Sequence, residues 1–286
     1  MPTKHMIQKH TRELSTTTSG IPASDGDGVK MTRIIGSPQL NMLDPFLLLD
    51  AFESDSPDDY IGGFPSHPHR GFETVTYMLA GSMRHKDNTG AEGVIEPLGV
   101  QWMTAGKGIV HSEMPEQTEG LMKGFQLWVN LPKKAKMSEP DYQQFTAAEI
   151  AEQSLTNGGL VRVIAGETNE GSTGPVSNHF VEPTFMDINL PNGGNFEQTL
   201  RHDDNAFIYV IEGGIIVGDQ QEQLPAKHLG ILTRGNSVNI SAPDSARFLL
   251  VAGKPLNETV ARGGPFVMNT KEEIRQAFSD FQNNRF

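Results

Sequence analysis

Four of the nine histidines in this chain stand close together in sequence, and their spacing suits metal binding. His67, His69, His85 and His111 fall within one 45-residue window. On an extended segment, side chains two residues apart project from the same face, so His67 and His69 present both imidazoles to one side. His111 and Glu113 repeat this spacing with an imidazole and a carboxylate.

Pairing the two segments across a barrel would bring three imidazoles and one carboxylate together. This mixed nitrogen and oxygen set suits Fe(II), Mn, Ni, Cu or Zn. On a six-coordinate metal, four protein ligands leave two positions for water, O2 or a chelating substrate, which a non-haem oxygenase needs. The alternative is that these histidines are loop residues with routine hydrogen bonds, and the four together favour the metal site.

Short strands must position these side chains. Runs of β-branched and aromatic residues at 72–79, 100–104 and 124–130 alternate with clusters of Gly, Pro and Asn, a pattern typical of a β-sandwich or barrel. A charged stretch with two prolines interrupts the pattern after residue 131, and strand-like runs resume at residue 160. The sequence therefore predicts a polar tail over 1–28, a first β domain over 29–140 and a second over 141–286.

The two predicted domains also resemble each other in sequence. The run Tyr77-Met-Leu-Ala-Gly81 matches Tyr209-Val-Ile-Glu-Gly213, which indicates duplication. After the second domain, Thr270 and Glu273 form a capping box, and apolar residues follow at helical spacing. We therefore expect an amphipathic C-terminal helix that packs its apolar face on a barrel.

Composition and charge narrow the function classes. The 30 Gly and 18 Pro among 286 residues argue against a coiled coil and against disorder. A net charge of −12 argues against direct binding to nucleic acid. With no cysteine, the chain has no disulfide, no thiolate metal site and no Cys nucleophile. No apolar run is long enough to span a bilayer, so we expect no membrane association and a cytoplasmic location.

Longer stretches of sequence resemble the pirin family. The similar segments are LDPFLLLDAF, GGFPSHPHRGFETVTYML, GSMRHKDNTG, QWMTAGKGIVHSEMP, FQLWVNLP and GPFVMNT, and the resemblance runs from about residue 29 to 286. It implies an all-β bicupin, with two antiparallel, jelly-roll-like β-barrel domains that face each other and a short C-terminal helix. It also implies one divalent transition metal, Fe(II) first, with Mn, Ni, Cu and Zn as alternatives, bound by His67, His69, His111 and Glu113.

The resemblance implies two kinds of function. Members of the family are similar to quercetin 2,3-dioxygenases, which open a flavonol ring with O2 and release carbon monoxide. The expected function is therefore O2-dependent ring opening of quercetin-like flavonols, with Glu113 as the catalytic base. The alternative is a non-enzymatic, metal-sensitive and redox-sensitive regulator that binds a transcription factor or a metabolic enzyme. We expect a monomer, with a nuclear location added if the source is eukaryotic.

Further residues are expected behind the metal or along the pocket. The resemblance implies that Glu73 holds a histidine or Arg70 by a hydrogen bond, with Arg70 as its structural partner. Gln126 either points into the barrel mouth or faces solvent. Large apolar side chains are expected in the core or the pocket wall. These are Trp102, Met103 and Phe125.

Several further residues are interpreted as surface or linker residues. His85 is expected on a solvated hairpin tip, with a role at the pocket rim as the less favoured alternative. A basic run is interpreted as a solvated linker, and its members are Lys133, Lys134 and Lys136. Alignment of the second domain on the first sets Thr199 and Arg201 opposite the histidine pair, and Ile240 and Ala242 opposite His111 and Glu113. The second domain is therefore expected to lack a metal site, and His202 and His228 to be surface or packing residues.

Overall fold

The computed structural model of the protein describes residues 9–178 and 180–286. Within these residues the regular structure is mainly β-strand, with one α-helix, α1 (Lys271–Gln282), and two short 3-10 helices, Pro57–Asp59 and Lys133–Ala135. The strands are β1 (Leu14–Thr18), β2 (Ile21–Asp25), β3 (Val29–Ile35), β4 (Phe46–Ser54), β5 (Phe64–His69), β6 (Phe72–Ala80), β7 (Met83–Asp87), β8 (Glu92–Ile95), β9 (Val100–Thr104), β10 (Ile109–Pro115), β11 (Met122–Asn130), β12 (Asp141–Phe145), β13 (Ala151–Ser154), β14 (Leu160–Ala165), β15 (Thr184–Leu190), β16 (Gly194–Thr199), β17 (Asn205–Glu212), β18 (Gly214–Val217), β19 (Glu222–Pro225), β20 (Leu229–Leu232), β21 (Ser237–Ala242), β22 (Ala246–Gly253), β23 (Ala261–Gly263) and β24 (Phe266–Met268). The predicted all-β class and the single C-terminal helix are confirmed.

The chain folds into two units, and their boundaries differ from those of the predicted domains at both ends. The N-terminal unit comprises 20–150, 175–181 and 256–286, and the C-terminal unit comprises the residues up to Ser19 together with 151–174 and 182–255. The polar segment 1–28 therefore contributes a strand to each unit, β1 to one and β2 to the other. Its first eight residues lie outside the described residues. Strand β1 was not predicted because its sequence, LSTTT, has little apolar character, and three of its five residues are exposed.

The N-terminal unit is built from two antiparallel sheets. The larger has the strand order β12-β9-β6-β11-β4-β3-β2, and the smaller has the order β5-β10-β7-β8. Residues of both sheets share one apolar cluster, in which Met83 and Ile95 of the smaller sheet pack with Val29, Phe52 and Met122 of the larger. Apolar side chains that alternate along the strands thus hold the two sheets together.

The C-terminal unit repeats this arrangement with different contents. Its larger sheet has the order β1-β20-β17-β22-β15-β14-β13, and its smaller sheet has the order β16-β21-β18-β19. An apolar cluster drawn from both sheets fills the interior, and it includes Phe196, Ile240 and Ala242. The repeated architecture agrees with the duplication that the sequence indicates.

The C-terminal segment packs beside the histidine motif of the N-terminal unit. The backbone N–H of Val267 donates to Arg70 O at 3.0 Å. Gly71 has a φ of +87°, and a Cβ there would lie 2.0 Å from Val267 O, so only glycine fits. The Arg70 guanidinium donates to Asp280 of α1 at 2.8 Å and lies 4.3 Å from the centre of the Phe286 ring.

The predicted capping box begins helix α1. The Thr270 side chain accepts from Glu273 N, and the Glu273 carboxylate accepts from Thr270 N at 2.8 Å. Ile274 and Ala277 are buried, whereas Phe278 remains 39% exposed although its ring lies 4.9 Å from that of Phe266. Neither this helix nor any other in the described ranges is long and apolar enough to span a membrane.

Lys136 differs from the sequence expectation. Lys133 and Lys134 are exposed, as a solvated linker requires, but Lys136 is 1% exposed. Its Nζ donates to Gly71 O, Asn130 Oδ1 and Val267 O at 2.8, 2.7 and 3.0 Å. Burial lowers the pKa of its ammonium group to about 8. The ammonium group therefore joins the turn after the histidine motif to the end of β11 and to β24.

Replacing Lys136→Met should destabilise the protein by on the order of 3 kcal/mol, because three buried acceptors lose a charged donor. The measurement is equilibrium urea unfolding. The matched control is the exposed Lys134→Met, which should change the unfolding free energy by less than about 0.5 kcal/mol. Equal stability of the two variants would contradict the assigned role of the Lys136 ammonium group.

Candidate metal centre

Three neighbouring strands of the smaller N-terminal sheet carry the candidate ligands. The central strand, β10, pairs with β5 on one side and with β7 on the other. His111 of β10 lies opposite His67 of β5 and Asp87 of β7, and Glu113 of β10 lies opposite His85 of β7. Because residues two apart share a face, the pairing register collects these side chains on one side of the sheet.

The structure brings His67, His69 and His111 together. Their ligand nitrogens lie within 4.8 Å of one another. Nε2 of His67 lies 3.0 Å from Nε2 of His69, and the His67 and His111 ring centres are 4.4 Å apart. His69 and His111 are buried, whereas His67 is half-buried. Burial lowers the pKa of His69 to about 3 and that of His111 well below its usual value, so both rings are neutral near pH 7.

Hydrogen bonds behind the first two histidines determine which nitrogen is free to bind a metal. His67 Nδ1 lies 2.8 Å from Pro65 O, and His69 Nδ1 lies 3.4 Å from Pro265 O. A carbonyl oxygen only accepts, so both Nδ1 atoms carry the proton, and both Nε2 atoms present a lone pair. Two lone pairs 3.0 Å apart repel each other unless a cation lies near both. The arrangement therefore fits a metal ion.

The Nε2 atom of the third histidine, His111, is also available to a metal. His111 Nε2 is buried and has no hydrogen-bond partner among the described residues. A buried nitrogen without a partner is costly, and a metal ion would satisfy it. Three imidazole nitrogens that converge in this way suit a divalent transition metal.

His85 is not on a solvated loop, as the sequence interpretation held. It lies in β7 with its side chain fully buried, and its Nδ1 is 3.4 Å from His111 Nδ1. Its Nε2 lies 2.9 Å from Asp87 Oδ2. The spacing of His85 and Asp87 could have revealed this, because it is the same two-residue spacing that marks the ligand segments.

Glu113 lies beside the three histidines but is not one of the group whose ligand atoms fall within 4.8 Å of one another. Its Oε1 accepts from Thr76 Oγ1 at 2.7 Å, and its Oε2 lies 3.5 Å from Gln126 Nε2. Gln126 Oε1 also lies 2.6 Å from Thr76 Oγ1. Because a hydroxyl carries one proton, Glu113 and Gln126 compete for it, and the carboxylate is held only loosely.

A cavity of about 760 Å³ opens onto this group. His67, His69, Glu113 and Gln126 are among its lining residues, so Gln126 faces the cavity rather than solvent. Apolar side chains form part of the wall, and they include Leu48, Phe64 and Trp128. The volume is within the usual range for small-molecule sites.

The three large apolar residues that were expected in the core or the pocket wall lie in the core. Trp102, Met103 and Phe125 are at most 3% exposed and are not among the residues that line this cavity. Trp128 lines the cavity instead, and its ring centre lies 5.2 Å from that of His69. Alternation on β11 could have predicted this, since Gln126 and Trp128 share the face opposite to Phe125.

Glu73 and Arg70 do not bond to each other as expected. Glu73 Oε1 accepts from Thr104 Oγ1 at 2.8 Å and its Oε2 from Asn178 Nδ2 at 2.5 Å, while Arg70 pairs with Asp280. Both partners of the expected pair are satisfied by segments distant in sequence, which local spacing does not reveal. Burial raises the pKa of Glu73 to about 7, against the opposing effect of the Thr104 hydrogen bond.

Strand pairing corrects the alignment of the second domain. On β21, Ile240 pairs with Phe196 and Val238 pairs with Gln198. Taking Ile240 as the counterpart of His111 therefore places Phe196 and Gln198, rather than Thr199 and Arg201, at the positions of His67 and His69. The cause is the connection from β16 to β17, which spans 200–204 where its counterpart spans only 70–71. His202 lies on the surface beside Asp203, and His228 contacts Ala226 O.

Comparison with known proteins identifies the relatives of this architecture. The family model "Pirin" matches residues 28–129, and the model "Pirin C-terminal cupin domain" matches residues 185–286. The chain belongs to the pirin family. The first match falls within the N-terminal unit, and the second covers residues 185–255 of the C-terminal unit and continues over residues 256–286 of the N-terminal unit. The expected fold of two cupin domains is confirmed.

Individual relatives cover nearly the whole chain. A pirin-like protein of Caulobacter vibrioides is 54% identical over 268 residues, covering 93% of this chain and 96% of the relative. Human pirin is 45% identical over 267 residues, with coverage of 91% and 89%. A crystal structure of quercetin 2,3-dioxygenase from Acinetobacter baumannii matches with a TM-score of 0.89 at 35% identity, covering 97% of this chain and 99% of that one. The names of the Caulobacter and human relatives state no activity, whereas the name of the Acinetobacter protein does.

Removing one imidazole should abolish tight metal binding. We expect His111→Ala to weaken binding of Co(II) or Zn(II) by more than about 100-fold, since even residues behind a ligand contribute 10–100-fold. The measurement is metal content after dialysis, together with the shift in Tm that metal produces. The control His228→Ala should retain metal, and retention by the His111 variant would contradict the assignment.

The raised pKa of Glu73 predicts a pH dependence of stability. In the metal-free protein, stability should fall by about 3 kcal/mol as pH rises from about 4.5 to about 7, because the buried carboxyl must ionise. Below this window the contribution is complete, and above it no more is lost. Glu73→Gln should flatten this slope in urea unfolding between about pH 4.5 and about pH 7. The exposed Glu170→Gln should leave the slope unchanged, and an unchanged slope in the Glu73 variant would refute the explanation.

Proposed function

We propose that this protein is a metal-dependent dioxygenase that opens the ring of quercetin-like flavonols. The overall reaction adds O2 to the flavonol and yields a ring-opened ester and carbon monoxide, so atoms balance without an external reductant. The observation that carries the proposal is the convergence of three imidazoles beside a cavity of about 760 Å³ that His67, His69 and Glu113 line. The name of the Acinetobacter relative supports the choice of substrate class.

The ligand set favours a reactive rather than a closed metal site. His67, His69 and His111 would hold the metal, and Glu113 would supply a fourth ligand when its carboxylate turns from Thr76. His67, His69 and Glu113 all line the cavity, so the remaining coordination positions would be accessible to small molecules. A structural site would instead be surrounded by protein ligands on every side. A metal bound here would act as a Lewis acid on the flavonol 3-oxygen and supply a site for O2.

The protein side chains account for binding and proton transfer. Trp128, Phe64 and Leu48 offer apolar surface to a flat aromatic molecule. Glu113 would accept the proton of the flavonol 3-hydroxyl as general base. Its loose attachment to Thr76 and Gln126 allows the carboxylate to move between the metal and the substrate. Gln126 would donate its amide to a substrate oxygen.

The proposal extends to the form of the protein in the cell. We propose Fe(II) as the resident metal, a monomeric state and a cytoplasmic location. Imidazole and carboxylate donors accept several divalent ions, so loading depends on supply as well as on the site. Direct comparison of Fe(II), Mn(II), Ni(II), Cu(II) and Zn(II) in the same assay would rank them.

The decisive test is oxygen uptake and carbon monoxide release with quercetin and Fe(II)-loaded protein. His69→Ala, run in parallel, measures the spontaneous oxidation of the flavonol and should show no release above that background. Glu113→Gln should lower kcat by about 10²–10⁴-fold, as expected for loss of a general base, while the three histidines still bind metal. Carbon monoxide should appear in amounts equal to the oxygen consumed by the enzyme.

Failure of this test would support the other candidate. If wild-type protein binds one metal ion and releases no more carbon monoxide than His69→Ala, the dioxygenase proposal is overturned. The protein would then be better explained as a redox-sensitive regulator. Different affinities of its Fe(II) and Fe(III) forms for a protein partner would be the property to measure.

A further inference from the structure

Two buried residues outside the proposed ligand set lie directly behind His111. His85 Nδ1 lies 3.4 Å from His111 Nδ1, and His85 Nε2 lies 2.9 Å from Asp87 Oδ2. Neither residue lines the cavity, so neither can contact a substrate there. We propose that His85 and Asp87 are positioning residues, which hold His111 in the tautomer that binds the metal and strengthen its donor nitrogen. This inference rests on the metal site of the proposed function but not on the reaction.

Asp87 provides the fixed end of this chain of hydrogen bonds. Its Oδ1 accepts from Thr89 N at 2.8 Å, from Thr89 Oγ1 at 2.6 Å and from Ala91 N at 3.2 Å. These contacts orient the carboxylate by one oxygen and leave Oδ2 directed at His85. The tight turn after β7 therefore determines the position of the acceptor.

The direction of the remaining hydrogen bonds follows from the carboxylate. A carboxylate oxygen only accepts, so His85 Nε2 carries its proton. In the proposed arrangement His85 Nδ1 accepts, and His111 Nδ1 donates to it. His111 Nε2 is left with the lone pair, and this is the buried atom that has no partner among the described residues. Both imidazoles thus donate toward Asp87, and the lone pair of His111 Nε2 is left for the metal site.

Packing prevents the His85 ring from leaving this arrangement. The side chains of His85 and Asp87 are both fully buried. The Tyr142 ring lies over His85 with a centre-to-centre distance of 4.8 Å and an angle of 34° between the planes. Strand pairing adds a further constraint, because Asp87 lies directly opposite His111 and His85 lies opposite Glu113. A ring held in this way can reproduce the same hydrogen bond each time a metal binds.

The arrangement has an expected effect on metal affinity and reduction potential. A carboxylate that polarises an imidazole raises the basicity of the nitrogen bound to the metal, as outer partners of metal-bound histidines commonly do. A stronger donor nitrogen stabilises the higher oxidation state of iron. The hydrogen bonds from His111 through His85 to Asp87 should therefore lower the Fe(III)/Fe(II) potential. A role confined to packing would affect neither property.

The test compares Asp87→Asn with the wild type. The asparagine amide can donate to His85 Nε2. This would reverse the direction of both hydrogen bonds and place a proton on His111 Nε2. We expect Co(II) and Zn(II) affinity, measured by chelator competition, to fall by about 10–100-fold. The Fe(III)/Fe(II) potential should rise. The matched control Asp187→Asn removes another buried carboxylate, in β15, which pairs with Arg247, and it should change stability without changing metal affinity.

A pair of variants at His85 separates positioning from packing. His85→Gln retains an oxygen that can accept from His111 Nδ1, whereas His85→Phe fills the space without an acceptor. Metal affinity should decrease in the order wild type, His85→Gln, His85→Phe, with cooperative unfolding retained by the metal-free proteins. Wild-type affinity and potential in Asp87→Asn would overturn the inference, as would equal affinity of the two His85 variants.

These measurements separate this inference from the proposed function. If the wild type binds Co(II) but releases no carbon monoxide from quercetin, the dioxygenase proposal fails and the positioning role is still decided by the affinities. If the wild type binds neither Co(II) nor Zn(II), the metal site itself is refuted, and the positioning role with it.

Discussion

The site depends on a simple constraint, which is that a neutral imidazole has one nitrogen that donates and one that accepts. In each of the three clustered histidines the outer nitrogen faces an acceptor, and the inner nitrogen faces the other two. The acceptors come from three separate places: the start of β5, the segment before β24 and the hairpin strand β7. Three separate segments of the N-terminal unit thus place an acceptor behind an imidazole, so that the nitrogens that face one another can be left without protons.

This constraint explains how two units of the same architecture differ in chemistry. Both have a seven-stranded and a four-stranded sheet in the same order of pairing. In the C-terminal unit, the positions that pair like His111 and His67 hold Ile240 and Phe196, which join the apolar core. A filled interior contributes stability through buried apolar area, whereas the N-terminal interior contains polar groups whose burial is costly without partners. The duplicated fold thus combines one interior suited to stability with one suited to chemistry.

Local spacing predicted the parts of the site that lie within one strand. The pairs His67 and His69 on β5, and His111 and Glu113 on β10, followed from a period of two, and the helix start at Thr270 followed from its capping box. The partners of these residues did not follow, because they come from segments far away in sequence. Pro265 O behind His69 and Asp280 beside Arg70 are separated from their partners by about 200 residues. Charge was also misleading for Lys136, since an ammonium group can be buried where three oxygens surround it.

The exchange of terminal segments between the two units has a consequence for how the protein is made. Strand β1 is synthesised before the strands of the N-terminal unit but belongs to a sheet of the C-terminal unit, where it pairs with β20. The N-terminal unit also needs residues 256–286, which follow every segment of the C-terminal unit and include the carbonyl group that faces His69. The N-terminal unit can therefore reach its full set of contacts only after residues 256–286 have emerged, whereas every segment of the C-terminal unit precedes residue 256. The proposed metal site would then form only after these residues have been synthesised, and a chain that ends before Pro265 would lack the acceptor that faces His69 Nδ1.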